Sequence, residues 1–369
     1  AENKQGLRTS SSISTGHNYD LGSGNDSSRG LSTSVGVSYE LDLFGKLANQ
    51  TEASRWEALA TEQDLQATAQ SLVGTTAKLY WQLGYLNERY QTIQQNLAST
   101  QKIYSLVQTQ YKAGAVSGLD LTQAEQSVQS QKASLSQITQ QRVEARMAIA
   151  VLLHEPVQQL NIQEPSQLPR NVLPNIAVGL PAEILARRPD LQAAELRLRK
   201  TLANKDATKA SYYPSINLTG NLGASSTSLT QLLQNPALTL GASLSLPFLQ
   251  YNDMKKDIAM SDLDYEKAII QYRQTLYQAF ADVENALSNR TQLNQQVQLQ
   301  QRNVELATKT ERLTEVRYRN GAIALKNLLD TQETTRNARL SLVESKQNQY
   351  NAYVTLMQAL GGSPIKKLE

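Results

Sequence analysis

Apolar and polar residues alternate along four segments of the chain, and this period of two predicts four β-strands. In the second segment, Val35, Val37 and Tyr39 share one face, whereas serine, glycine and acidic residues occupy the other. One apolar and one polar face suit either a soluble sandwich or a membrane sheet with a polar interior. The segments are residues 6–17, 31–44, 216–222 and 238–248, and a Gly- and Ser-rich loop over 22–30 separates the first two.

Four long stretches that follow the strands are predicted to be helices that pair as antiparallel coiled coils. From Leu79 to Tyr111, apolar residues recur at alternating steps of four and three, and a similar series runs from Leu121 to Leu152. This is the heptad pattern of a coiled-coil seam. A plain coiled-coil spacer is the alternative, but it leaves the strands without a role. The helices are expected over 46–111, 119–153, 252–318 and 325–360, with Leu299, Leu306 and Leu313 one heptad apart in the third.

The predicted turns between the paired helices indicate an internal repeat. The segment Tyr111–Ser117 reads Tyr-Lys-Ala-Gly-Ala-Val-Ser and returns as Tyr-Arg-Asn-Gly-Ala-Ile-Ala over Tyr318–Ala324. A spacing of about 207 residues is too long for a solenoid and indicates two duplicated halves. Each half comprises a strand pair, a long helix, a tight turn and a returning helix. A proline-rich strap over 156–182 joins the halves and leads into a further helix, expected over 182–211.

The number of strands limits how they could lie in a membrane. No stretch approaches the roughly 18 consecutive apolar residues of a transmembrane helix, but a membrane strand needs only about ten alternating residues. The smallest membrane barrels have about eight strands, and open sheet edges are not tolerated in lipid. If these strands lie in a membrane, several copies of the chain must pool them, so the strand count predicts a homo-oligomer.

Composition argues against several classes of function. The 36 Lys and Arg and 33 Asp and Glu residues are interspersed and give a net charge of +3, so nucleic-acid binding gains little support. The chain has no cysteine, and its two histidines, His17 and His154, are isolated, which excludes a thiolate zinc site, a disulfide framework and a cysteine nucleophile. No phosphate loop or nucleophile and base pair is found either. We therefore expect no enzyme activity, no cofactor and no metal.

Three motifs resemble those of a known family. They are Gly179–Glu195, which contains the triplet Arg188, Pro189 and Asp190, together with Tyr213–Ile216 and Tyr39–Lys46 at predicted strand ends. With the two repeated turns, nearly the whole chain resembles the outer-membrane efflux proteins, the TolC-like outer-membrane factors of Gram-negative tripartite pumps. The triplet is most similar to the lipoprotein branch that serves resistance-nodulation-division (RND) transporters.

The resemblance implies a fold and a function. The fold is an α+β membrane protein with a two-fold repeat of β-hairpin and long coiled-coil helices. Three chains would each give four strands to a 12-stranded β-barrel atop an α-helical barrel. The function is the outer-membrane exit duct of a multidrug-resistance efflux pump, which passively conducts drugs or other small toxic solutes. The partners are two further copies in a homotrimer, a periplasmic adaptor (membrane fusion protein), an inner-membrane RND-type transporter and outer-membrane lipid.

The same resemblance divides the chain into segments. Residues 1–44 and 213–250 would supply the outer-membrane strands, 45–155 the first periplasmic helix pair, 156–212 the strap and an equatorial helix, 251–361 the second helix pair, and 362–369 a tail. Relatives in the family begin with a leader, a lipid-bearing cysteine in this branch, and helices before the first strand. On that comparison, the chain is expected to be an N-terminally truncated form.

The family's functional residues are carried over by position. Asp120, Tyr318 and Asp330 occupy positions where the family places a periplasmic gate, and three-fold symmetry would turn each into a ring. A simpler role for either aspartate is helix capping or a solvated face, and Gly114 and Gly321 also suit left-handed turns. The tips expected to contact the adaptor are Gly114, Ala115, Val116, Ser117, Gly321, Ala322 and Ile323.

Other functions remain open at this point. A protein-export duct that serves an ABC transporter would share the architecture. A soluble coiled-coil scaffold with a small sheet is a second alternative, and a truncated product without transport activity is a third. Dependence on detergent would separate the scaffold from the ducts.

Overall fold

The computed structural model describes residues 6–19, 27–159, 162–169, 173, 187–226, 234 and 236–362. In chain order the elements are β1 (Arg8–Tyr19), β2 (Ser27–Leu41), α1 (Lys46–Lys112), α2 (Gly118–Leu153), α3 (Pro189–Ala210), β3 (Ser215–Ser226), β4 (Pro236–Ser245), α4 (Tyr251–Arg319) and α5 (Leu325–Ala359). Short 3₁₀ helices cover Val157–Gln159 and Pro247–Leu249. Two strands followed by two long helices occur twice, so the predicted repeat is confirmed.

The chain forms two compact units. Unit 1 comprises Ala1–Leu65 and Pro189–Tyr277, and unit 2 comprises Gln66–Arg188 and Gln278–Glu369. Of the three boundaries along the chain, two fall inside the long helices α1 and α4, and the third falls at the start of α3. In the part of the chain that the structure describes, no helix is both long enough and apolar enough to cross a membrane.

Unit 1 contains a four-stranded antiparallel sheet in the order β1-β2-β3-β4. The hairpin of each half is therefore retained, and β2 pairs with β3 to join the halves. The register aligns the apolar residues: Val35 faces Leu222, which faces Leu238. On the same face, the side chains of Leu238 and Leu240 are 68% and 77% exposed. The alternation predicted from the sequence is thus confirmed, and the described residues leave the apolar face of the sheet largely uncovered.

The strand boundaries differ from those predicted. β1 and β2 extend further into the expected loop, because Gly16 pairs with Gly30 and Tyr19 pairs with Ser27. Backbone pairing across the hairpin outweighs the weak strand preference of Gly and Ser. Residues 20–26 of that loop lie outside the described residues. β4 ends at Ser245 rather than Phe248, since Pro247 has no N–H to donate to a ladder.

Strand β2 also ends earlier than predicted, at Leu41, because Asp42 caps α1. Its carboxylate accepts hydrogen bonds from the backbone N–H groups of Leu47 and Ala48, at 3.1 and 2.7 Å. Lys46 bonds to Glu40 at 3.0 Å, and the ring of Phe44 stacks on Tyr213 with centroids 4.8 Å apart. These contacts give a structural reason for the family-like residues at this strand-to-helix junction.

In unit 2, α1, α2 and α5 pack through the predicted seams. The main core cluster buries residues of all three helices together with Leu168: Leu83, Tyr85, Leu86, Ile93, Ile138, Ala145, Ile149, Val343 and Tyr350. The third predicted seam is different. Leu299, Leu306 and Leu313 of α4 are 64%, 49% and 53% exposed. They form no seam within the described residues of this chain, and α4 buries alanines instead.

The helix expected over 182–211 begins later than predicted. Arg187 and Arg188 are not helical, and α3 starts at Pro189. A proline disfavours helical geometry in the residue before it but suits the first position of a helix. Residues 182–186 lie outside the described part of the chain.

Candidate functional site

The two predicted tips are turns with the same backbone geometry. Gly114 has φ of 72° and Gly321 has φ of 71°, so both glycines occupy the left-handed region. In the first turn, Gly114 N–H donates to Tyr111 and Ala115 N–H donates to Gln110. The second turn repeats both bonds with the corresponding residues. This is a Schellman ending, which satisfies the last carbonyls of α1 and α4.

The helices that leave the turns begin differently. Ser117 caps α2, and its partner in the capping box is Asp120, whose carboxylate accepts from the Ser117 N–H at 3.0 Å and from its hydroxyl at 2.7 Å. The corresponding residue before α5 is Ala324, which has no side-chain cap. Asp120 therefore caps α2, which is the simpler role considered for it from the sequence. Its proposed role in the gate stays a prediction.

Tyr318 connects the two turns. Its hydroxyl donates to the side-chain oxygen of Gln110, at 2.9 Å, and the ring packs on a buried cluster formed by Val107, Ala124 and Leu325. Burial, and then the nearby negative charge of Asp120, raise the pKa of Tyr318 above its usual value. The phenol is consequently neutral at physiological pH and available as a hydrogen-bond donor.

Asp330 lies one turn into α5 and is exposed. The Nζ atom of Lys326 is 2.7 Å from its carboxylate, in a pair with side chains 67% and 58% exposed. Such exposed pairs contribute little to stability, about 0.3–0.5 kcal/mol. The lysine nevertheless offsets the charge that a ring of Asp330 residues would present.

The predicted tip residues are mostly accessible. Gly114, Ala115, Ser117, Gly321 and Ala322 are exposed, whereas Val116 and Ile323 are half-buried. Val116 packs against the cluster under Tyr318. The structure thus brings Tyr318 and Asp120 near each other at the paired turns and places Asp330 further along α5.

The residues of the family triplet do not belong to the tips. Arg188 is 9% exposed, and its guanidinium donates to the carbonyls of Ala279 and Ala359 and to the carboxylate of Asp282, at 3.3–3.4 Å and 3.1 Å. Pro189 is buried at the start of α3, and Asp190 lies in the first turn of that helix. Arg188 of the triplet therefore ties the last turn of α5 to α4.

Sequence reasoning missed Gln110 as the partner of Tyr318. Its position next to Tyr111 in the repeated motif was the only available signal, and its contact depends on how the turns pack. In the described ranges, no group of three or more His, Cys, Asp or Glu side chains could hold a metal ion.

The described fold and paired turns agree with comparisons to known proteins. A family model described as outer membrane efflux protein matches residues 5–154 and 180–362. The chain therefore belongs to the outer membrane efflux protein family.

Individual relatives agree with this assignment. The pyoverdine export outer membrane protein OpmQ of Pseudomonas putida is 32% identical over 343 residues, 93% of this chain and 73% of that protein. The probable efflux pump outer membrane protein TtgC of the same species is 30% identical over 90% of this chain and 69% of that protein. The solved outer-membrane channel OprN has a TM-score of 0.86 at 26% identity, covering 98% of this chain and 83% of that one.

Three predictions are confirmed by these comparisons. The fold class is that of the outer-membrane efflux channels, an α+β membrane protein with duplicated hairpins and long helices. The protein is an outer-membrane channel of an efflux system, and its location is the Gram-negative outer membrane. A soluble scaffold is not supported.

Proposed function

We propose that the chain forms a homotrimer whose twelve pooled strands enclose a duct for drugs or other small toxic solutes. Solutes reach this duct from an inner-membrane RND-type transporter through a periplasmic adaptor, and the protein itself carries out no chemistry. The observation that carries the trimer is a sheet that has an exposed apolar face and two open edges.

The sheet supports pooling in two ways. All residues of β4 are exposed, including Leu238, Leu240 and Leu244. In the described order, β1 and β4 each pair with one strand only. Unpaired backbone groups cost several kcal/mol each in lipid, so a membrane sheet has to close. Pairing β4 of one copy with β1 of the next satisfies both edges and gives twelve strands from three chains.

The exposed stripe on α4 supports the same assembly. Leu299, Leu306 and Leu313 follow one another by seven residues and are about half or more exposed. This is the spacing of a coiled-coil seam, and no partner for it lies among the described residues of its own chain. A neighbouring copy supplies helices of matching length, and burial of each leucine there contributes on the order of 1–2 kcal/mol.

The paired turns support the adaptor contact and the gate. The exposed tip residues Gly114, Ala115, Ser117, Gly321 and Ala322 offer small side chains and backbone groups that a helical hairpin can approach closely. Behind them, Tyr318, Asp120 and Asp330 would form rings of three around the trimer axis and narrow the passage.

The assembly is tested by the mass of the full chain in detergent, measured by light scattering with correction for bound detergent. We expect about three times the chain mass of 40.8 kDa. A monomer at all detergent and protein concentrations would overturn the trimer and, with it, the closed duct.

The gate is tested by conductance in planar bilayers. Asp330→Asn should reduce cation preference, because it removes a ring of negative charge. It should also raise single-channel conductance, because in the proposed gate it removes links to neighbouring chains that hold the pore shut. Glu315→Gln is the matched control, since Glu315 pairs with Arg319 at 2.6 Å in another exposed pair near the same turn. Equal effects of both variants would remove Asp330 from the gate.

Transport is tested in a Gram-negative strain that lacks its own efflux channel. Expression of the chain with a matching transporter and adaptor should restore resistance to drugs. A second candidate is export of a secreted metabolite, which is favoured by the 32% identity to a pyoverdine export protein. Pyoverdine restored to the medium of a producing strain, without restored drug resistance, would favour that candidate.

A further inference from the structure

An open groove lies within unit 2, among α1, α2 and α5. Its cavity volume is about 510 Å³, within the range of small-molecule sites. Amide and hydroxyl side chains form most of its wall, and Ile93 and Ile138 add an apolar part to it. Asp330, one of the proposed gate residues, is among the lining residues, and the other gate and tip residues are not.

Two amide side chains, those of Asn96 and Gln131, line this groove. Asn96 is 7% exposed and Gln131 is 8% exposed. Neither amide has a fully buried polar atom without a hydrogen-bond partner, and both lie at the wall of an open groove. Each amide can therefore form hydrogen bonds with a solute or water that enters the groove.

Two arginines in the same groove also have unused donors. The Nε atom of Arg89 is buried and has no partner in the described part of the chain, although its Nη1 donates to the Tyr85 hydroxyl at 2.9 Å. Arg336 has no carboxylate oxygen within 4.0 Å among the described residues. Burial lowers its pKa, more strongly than the charges of Glu333 and Glu311 raise it.

The charges in the groove favour an anion. Lys326 and Asp330 neutralise each other at 2.7 Å. The remaining charged groups in the lining are Arg89, Arg336 and Glu333, and thus two cations and one anion. Guanidinium groups match carboxylates in geometry and bind them through paired hydrogen bonds.

We propose that this groove binds a small organic anion that carries carboxylate and hydroxyl groups. Arg336 binds the carboxylate, Asn96 and Gln131 bond to the hydroxyl groups, and Arg89 binds a second acidic group further along the groove. The site does not rest on the duct function proposed above, because binding can be measured on the isolated protein whether or not it conducts.

Citrate is the probe, and saturation-transfer NMR on the full chain in detergent at low salt is the measurement. We expect saturable binding, and Arg336→Gln should weaken it at least about tenfold through the loss of a charged hydrogen bond. Arg339→Gln is the matched control, since Arg339 lies on the next turn of α5 and does not line the groove. That variant should bind citrate as the unmodified chain does.

A second variant covers the case in which Arg336→Gln does not fold. Gln131→Leu keeps the size of the side chain and removes only its hydrogen bonds, and we expect it to weaken citrate binding severalfold. Inorganic phosphate is tested in parallel. If it binds as tightly as citrate, the groove is a general anion site, and the proposed selectivity for organic carboxylates is overturned. No saturable citrate binding, or equal loss in the Arg336 and Arg339 variants, overturns the site itself.

Discussion

At the scale of residues, the contact between Tyr318 and Gln110 is the feature that unites the two halves at the tip. The repeat gives Tyr318 a counterpart, Tyr111, which is 46% exposed and has no hydroxyl partner among the described residues. One tyrosine of the duplicated pair thus joins the turns, and the other remains at the surface. The two turns of the repeat thus have the same backbone geometry, but their tyrosines have different environments.

Tyr318→Phe removes the hydroxyl and keeps the ring. We expect the tip contact to weaken by about 0.5–1.5 kcal/mol, the usual net value of such a hydrogen bond. If the contact restrains the gate, mean conductance in planar bilayers increases. Tyr111→Phe is the control and should leave conductance unchanged; an equal change in both variants would contradict the role of Tyr318.

The same contact should depend on pH in a defined direction. The pKa of Tyr318 is raised in the folded protein, so its proton and its hydrogen bond persist through neutral pH and are lost only as the pH rises through that raised value. The measurement is the ¹³Cζ shift of labelled tyrosine, with Tyr318→Phe to assign the signal. A phenol that titrates below its usual pKa would contradict the burial of this side chain.

At the scale of elements, the two turns differ in how the following helix begins. Ala324 has φ of −73° and ψ of 153°, close to the −80° and 161° of the capping residue Ser117. The backbone is therefore already suitable for a cap, and only the side chain is lacking.

The double substitution Ala324→Ser with Asn327→Asp should create the missing capping box. We expect a gain of about 0.5–2 kcal/mol for the start of α5. Slower amide hydrogen exchange over the first turn of α5 is the readout. Ser117→Ala is the reciprocal control and should accelerate exchange at the start of α2.

Arg188 links α4 to the last turn of α5 and takes no part in the tips. Arg188→Ala removes its bonds to the last carbonyl of α5 and to Asp282, and leaves that partly exposed carboxylate without the guanidinium. We expect the last turn of α5 to open about ten- to a hundredfold more often, from a loss of about 1–3 kcal/mol. Amide hydrogen exchange in the last turn of α5 measures this opening. Arg187→Ala changes an exposed neighbour; it is the control and should leave the exchange unchanged.

The long elements were predictable from sequence, because each has a period repeated over many residues. The ends of these elements were less predictable. Gly30, for example, becomes part of a strand only because Gly16 pairs with it. The third seam was misassigned because a heptad pattern shows that leucines need a partner, not that the partner belongs to the same chain. The contact of Tyr318 with Gln110 and the groove around Gln131 join distant helices, and no local pattern encodes them.

At the scale of the whole molecule, the sheet should distinguish its two faces. Leu240 lies on the apolar face and Thr239 on the polar face of β4. In the proposed duct, Leu240→Arg places a charge in lipid at a cost of up to about 2–4 kcal/mol, whereas Thr239→Arg faces water. The measurement is the folded, heat-modifiable fraction recovered from outer membranes. Equal recovery of both variants would contradict a lipid-facing apolar side.

The pairing of β2 with β3 has a consequence for the order of folding. Each hairpin closes over a short distance, but the register that joins them brings Leu31 to Ser226 and Leu41 to Ile216. Contacts so far apart along the chain form slowly, because the intervening chain must first give up its freedom. The two hairpins can therefore exist before the sheet does, and the seam between them is the late step. During that interval each hairpin has an unpaired edge, at which a misfolded chain would first aggregate.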